Sequence, residues 1–125
     1  MTPQEMVSVR YMVDDVQAAV DFYAKHLGFE IRLSSPAFAE AVRGNLRLLI
    51  SGPASSAGRP MTDGEKPGPG GWNRLHFIVE DLDADVARLR AEGLSFRNEM
   101  VSGPGGKQIL LVDPSGNLVE LFQMA

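Results

Sequence analysis

The sequence predicts an α+β fold made of two tandem βαβββ modules, a curved mixed sheet around a cleft. Three observations carry that prediction. The chain matches itself: "VSVRYMVDDVQAAVDFYAKHLGF" and "WNRLHFIVEDLDADVARLRAEGLSF" follow one plan, and adding 66 takes Val13-Asp14-Asp15-Val16 onto Val79-Glu80-Asp81-Leu82. Gly44-Asn45-Leu46 returns as Gly116-Asn117-Leu118 at a shift of 72. Between the copies, ten of the 21 residues 51–71 are Gly or Pro, which breaks both helix and strand. The 125 residues therefore divide into repeat one (1–50), a Gly/Pro-rich linker (51–71) and repeat two (72–125). Together they are long enough for one domain with a proper core.

Each element follows from its pattern. In the first strand Val7, Val9, Tyr11 and Val13 alternate with Ser8, Arg10, Met12 and Asp14, so one face is apolar and the other mixed. Asp14 or Asp15 is placed to cap the helix that follows, whose Val16, Ala19, Val20, Tyr23 and Leu27 form one stripe. Gly28 stands where that helix wants a positive φ. "FAEAVRGNLRLLI" then reads as two strands hinged at Gly-Asn.

The second copy repeats this. Leu75, Phe77 and Val79 oppose Arg74, His76, Ile78 and Glu80; Asp81 is the cap; Leu82, Val86, Leu89 and Ala87 make a shorter stripe; Gly93 is the stop. "GPGGK" at 103–107 leads into a strand, not a helix, so it reads as a hairpin turn and not a phosphate loop. "KQILLVDPSGNLVELFQ" closes the module, turning at Asp113-Pro114-Ser115-Gly116. The linker joins the repeats or folds over a site as a lid, with Arg59-Pro60-Met61 its most interactive part.

Composition excludes several functions. A net charge of −4 without a basic block argues against nucleic acid, and no apolar run approaches a membrane span or a secretion signal. The absence of cysteine removes disulfides, thiolate metal sites and a cysteine nucleophile, and suits a cytoplasmic location.

One residue breaks the pattern. Glu120 lies in the last strand, between Leu118 and Phe122 on one face and Val119 and Leu121 on the other. A carboxylate there needs a partner, and by face the candidates are Arg10, Arg74 and His76.

The tandem plan, "DFYAKHLGF" after the first helix and "DPSGNLVELF" at the end together resemble the vicinal oxygen chelate superfamily. Its members include glyoxalase I, extradiol dioxygenases, methylmalonyl-CoA epimerase and the bleomycin-resistance proteins. The resemblance implies a divalent metal held by the first and last strands of each half. Carried over, those positions are Ser8, Leu48, Arg74 and Glu120, of which Glu120 alone is a usual ligand. His76 could reach the same face from a shifted place. His26, the only other histidine, belongs to the end of the first helix. An arginine ~4 Å from a divalent ion would repel it by roughly 8 kcal/mol at an effective dielectric of ~20.

The expected function is thus binding of a small molecule, apolar or aromatic with an anionic group, without a catalytic metal or other cofactor. Ser8, Arg10, Met12, Leu48, Trp72, Arg74, Ile78 and Phe122 would line its site. The alternative is a lyase, isomerase or dioxygenase. It would use Zn, Fe, Mn or Ni at His76 and Glu120, or those two as a metal-free acid–base pair. Membership of this family also implies a homodimer, and open sheet edges would favour one.

Overall fold

The computed structural model describes residues 5–125. The elements run β1 (Val7–Met12), α1 (Val16–Leu27), β2 (Glu30–Ser34), β3 (Phe38–Arg43), β4 (Leu46–Ser51), a 3-10 turn (Ser56–Gly58), β5 (Arg74–Ile78), α2 (Leu82–Ala91), β6 (Val101–Gly103), β7 (Gly106–Val112) and β8 (Leu118–Met124). This is the predicted βαβββ plan twice over. The chain divides into two compact units at Gly70/Gly71. Each holds one four-stranded mixed sheet, ordered β1-β4-β3-β2 in the first and β5-β8-β7-β6 in the second. In each sheet the first strand runs parallel to the last, and the remaining neighbours are antiparallel. No helix is long and apolar enough to cross a membrane among the described residues.

In the first unit Asp15 is the cap, accepting from the Ala18 amide at 3.1 Å, and Gly28 ends α1 at φ 70°. The helix buries Val16, Ala19, Val20, Phe22, Tyr23 and Leu27, and the Tyr23 ring meets Phe22 and Phe29 edge-on. Its stripe faces the apolar side of the sheet, where Ala39, Ala41, Leu48 and Ile50 are fully buried. At roughly 2 kcal/mol for each large apolar side chain buried, this one-sided packing commits the helix to that face. The mixed face is left for other use.

The second unit is built the same way. Asp81 caps α2 by accepting from the Ala84 amide at 3.0 Å, with Asp83 and Asp85 in the first turn and Arg88 and Arg90 in the last, as the helix dipole favours. Leu82, Val86 and Leu89 are buried, whereas Ala87, one residue past Val86, turns to the exposed side and does not join the stripe. The Leu82 amide donates to Gln123 Oε1 at 2.8 Å, tying the helix start to β8. The β7–β8 turn is held by a buried carboxylate: Asp113 Oδ1 accepts from the amides of Ser115 and Asn117, each at 2.8 Å. Residues 103–106 form the predicted β6–β7 hairpin.

Residues 52–60 have a structure of their own. The Gly52 amide donates to Ala37 O at 2.9 Å, and the buried Ser55 hydroxyl donates to Gly52 O at 2.6 Å. The Gly58 amide then closes onto Ser55 O at 3.0 Å. A second small turn follows, with Met61 N donating to Glu65 O at 2.7 Å. The start of the expected linker is thus fastened to the first sheet.

Candidate functional site

Register decides which side chains share the mixed face of each sheet. In the second unit His76 pairs with Glu120, Arg74 with Leu118 and Ile78 with Phe122, so all six point the same way. β7 adds Gln108, Leu110 and Val112, opposite Phe122, Glu120 and Leu118. Glu120 is only 7% exposed, and its carboxylate is held on every side. Arg74 Nε donates to Oε1 at 3.0 Å, and His76 Nε2 lies 3.3 Å from Oε2. The Gln108 amide, with its nitrogen toward the carboxylate, donates to Oε2 at 2.6 Å and Oε1 at 3.2 Å. The partner that Glu120 requires is therefore a set of two donors, Arg74 and Gln108, with the His76 imidazole beside them. No sequence pattern marks Gln108, because only strand pairing brings it there.

The rest of that face is apolar. The His76 and Phe122 rings lie 5.1 Å apart, tilted by 36°, and Ile78 is largely exposed. Trp72 precedes β5; its exposed ring carries the Arg97 guanidinium at 5.2 Å. His26 sits at the end of α1, its ring against Phe22.

In the first unit the mixed face carries Ser8, Arg10 and Met12 from β1, beside Arg47, Leu49 and Ser51 from β4. Phe38, Glu40 and Val42 of β3 continue it, and β2 adds Glu30 and Leu33 opposite Val42 and Glu40. Leu48 does not belong there. It pairs with Val9 and is fully buried on the helix side, so it cannot line a site on the mixed face. Leu49 takes its place, because Ser8 lies opposite Arg47 as Arg74 lies opposite Leu118, so pairing aligns the two last strands one residue away from the Gly-Asn match. Arg47, Phe38, Glu40 and Ser51 join the face through strand pairing, a signal the repeat comparison alone did not carry.

Neither arginine of this face meets a carboxylate. Arg10 Nη1 donates to Ser51 Oγ at 2.9 Å, and Arg47 Nε to Ser8 Oγ at 2.9 Å. Arg10 also lines a pocket of about 400 Å³ with Ala37, Phe38, Ala54, Ser55 and Ser56, so the fastened segment after β4 supplies one wall. A larger cavity, about 690 Å³, opens at the start of α1, but Asp14 and Asp15 make its wall acidic.

A model of the glyoxalase/bleomycin resistance protein/dioxygenase superfamily matches residues 5–121. The chain belongs to this superfamily. No curated protein matches it. Among solved structures, the glyoxalase fold recurs in a lactoylglutathione lyase from Agrobacterium tumefaciens, 23% identical, with a TM-score of 0.75 over 98% of this chain and 96% of that one. It recurs in an antibiotic-binding protein from Streptomyces sp. CB03234, 24% identical, with a TM-score of 0.74 over 100% and 99% of the two chains. A superfamily member from Sphaerobacter thermophilus is 26% identical, with a TM-score of 0.74 over 97% and 98%. One fold thus serves a lyase and a binder, and function must be argued from the site.

The superfamily often holds a divalent metal, and the residues present here fit one poorly. No three His, Cys, Asp or Glu side chains converge among the described residues. Both Glu120 oxygens already accept hydrogen bonds, and Arg74 holds a fixed positive charge 3.0 Å from one of them. Two donors beside a guanidinium are fewer than a catalytic zinc or iron site requires.

Proposed function

We propose that this glyoxalase-superfamily protein binds a small organic molecule without a catalytic metal, taking an anionic group at Arg10 and a flat apolar body against Phe38. The observation that carries the reading is the state of Arg10. Its guanidinium lines a pocket of about 400 Å³ and donates to a neutral serine hydroxyl, in contrast to Arg74, which is matched by Glu120. A guanidinium that keeps donors free beside an aromatic ring suits a carboxylate on an aromatic frame. The fastened wall at Ala54–Ser56 gives that pocket a fixed shape. The protein works in the cytoplasm as a homodimer; lack of cysteine and exposed apolar residues on the outer strands support those two points.

The test is calorimetry with 4-ethylbenzoate and its neutral counterpart 4-ethylbenzamide. The carboxylate should bind about tenfold tighter or more, as a charge-assisted hydrogen bond implies, and Arg10→Gln should erase the difference. Equal binding of the two, or no binding of the carboxylate, would overturn the reading.

A second reading rests on the His76–Glu120 contact at 3.3 Å, where a half-exposed imidazole lies beside a buried carboxylate. Such a pair is the arrangement of a general base. It would exchange the α-proton of an enolisable carbonyl compound. Deuterium incorporation from heavy water, absent in His76→Asn, would establish it, and a flat exchange profile would remove it.

A further inference from the structure

The anion site at Arg10 leaves one charged residue of the same face without a role. Glu40 sits in β3 between Ala39 and Ala41, both fully buried against the helix side, so its own side chain is on the mixed face. It is half-buried, and no hydrogen bond or ion pair engages its carboxylate among the described residues. The two arginines of this face are directed elsewhere, Arg10 to Ser51 and Arg47 to Ser8, while Arg32 pairs with Glu30. A carboxylate partly withdrawn from water without a partner is unfavourable, and a cationic group would relieve it.

Register fixes where that cation would lie. Arg10 pairs with Leu49, and Leu49 with Glu40, so the guanidinium and the carboxylate belong to strands on either side of β4. Two strand spacings put their backbones about 10 Å apart. The Leu49 side chain stands between them, and Phe38 is two residues from Glu40 on the same face. The face therefore presents a positive group, an apolar floor and a negative group in one line.

We propose that the ligand is dipolar: an acid at one end for Arg10, an amine or amidine at the other for Glu40, and an apolar or aromatic body lying over Leu49. This rests on the reading of Arg10 given above and adds the second charge.

The experiment compares 4-ethylbenzoate with 4-(2-aminoethyl)benzoate, which has the same frame with an ammonium at the far end. Calorimetry on the full chain should show the amino compound binding about fivefold tighter, the scale of a partly exposed ion pair. Glu40→Gln should bring the two to parity with 4-ethylbenzoate unchanged or slightly tighter. Glu40→Lys should reverse the preference, a change of sign that a merely structural glutamate would not give. Arg10→Gln should weaken both compounds alike. If 4-ethylbenzoate binds and the ammonium adds nothing, the dipolar ligand is overturned and the anion site stands. If 4-ethylbenzoate does not bind, both readings fall.

Discussion

Glu120 is a carboxylate enclosed in an apolar strand, 7% exposed, with Arg74, Gln108 and His76 around it. A carboxylate in an apolar strand announced that it needed a partner, and Arg74 and His76 were legible as candidates from alternation alone. Arg10, the third candidate, donates to Ser51 in its own unit. Gln108 was not legible, since its place opposite Phe122 depends on how β7 registers against β8. With Arg74 and Gln108 donating to it and His76 3.3 Å away, Glu120→Gln would turn an amide nitrogen toward groups that want an acceptor. Arg74 and His76 are partly exposed and can turn to water, so the cost stays near 1–3 kcal/mol. A lower urea midpoint at unchanged slope is the expected result; an unmoved midpoint would mean that the triad contributes nothing to stability. The same geometry predicts metal content. After dialysis against Mn, Fe, Ni or Zn, the protein should carry well under one equivalent by mass spectrometry. Stoichiometric metal that disappears in His76→Ala would show that the Arg74 charge does not keep an ion from this site.

Elements were more legible than their exact alignment. Both helices, their Asp caps and the positive-φ glycines at 28 and 93 follow from local chemistry, which acts over a few residues and can be read in order. Register between strands is a different problem: a slip of one residue moves a side chain to the opposite face, and the repeat shift of 72 points to Leu48 where pairing selects Leu49. The segment after β4 resisted reading for a related reason. Its order comes from Gly58, whose close approach to other backbone has no sequence periodicity. A Cβ there would lie 2.7 Å from both Gly52 O and Pro53 O, and neither is a flexible side chain that could move aside. Gly58→Ala should therefore open the turn, cost about 1–3 kcal/mol in urea unfolding and weaken 4-ethylbenzoate binding through the displaced wall. Gly68→Ala, with nothing within 4 Å, is the control and should be neutral or slightly stabilising. Equal behaviour of the two variants would refute a fixed wall.

At the scale of the whole molecule, the question is what the outer strands face. Each sheet has two of them, β1 and β2 in the first unit, β5 and β6 in the second. All four carry a large exposed apolar side chain: Val7 at 59%, Leu33 at 53%, Ile78 at 62% and Val101 at 50%. Scattered apolar residues on a surface are ordinary, but one on every outer strand is the pattern that proteins usually blunt with charge when they stay monomeric. Self-association between identical chains covers such residues without needing a second partner. Sedimentation equilibrium should accordingly return about twice the 13.6 kDa chain mass at micromolar concentration. Leu33→Lys and Val101→Lys, made separately, place a charge on one outer strand of each unit; the variant that shifts the mass toward one chain identifies the strand in the interface. A single-chain mass for the unmodified protein across that range would assign those residues to ordinary surface. It would also leave the pocket at Arg10 to work within one copy.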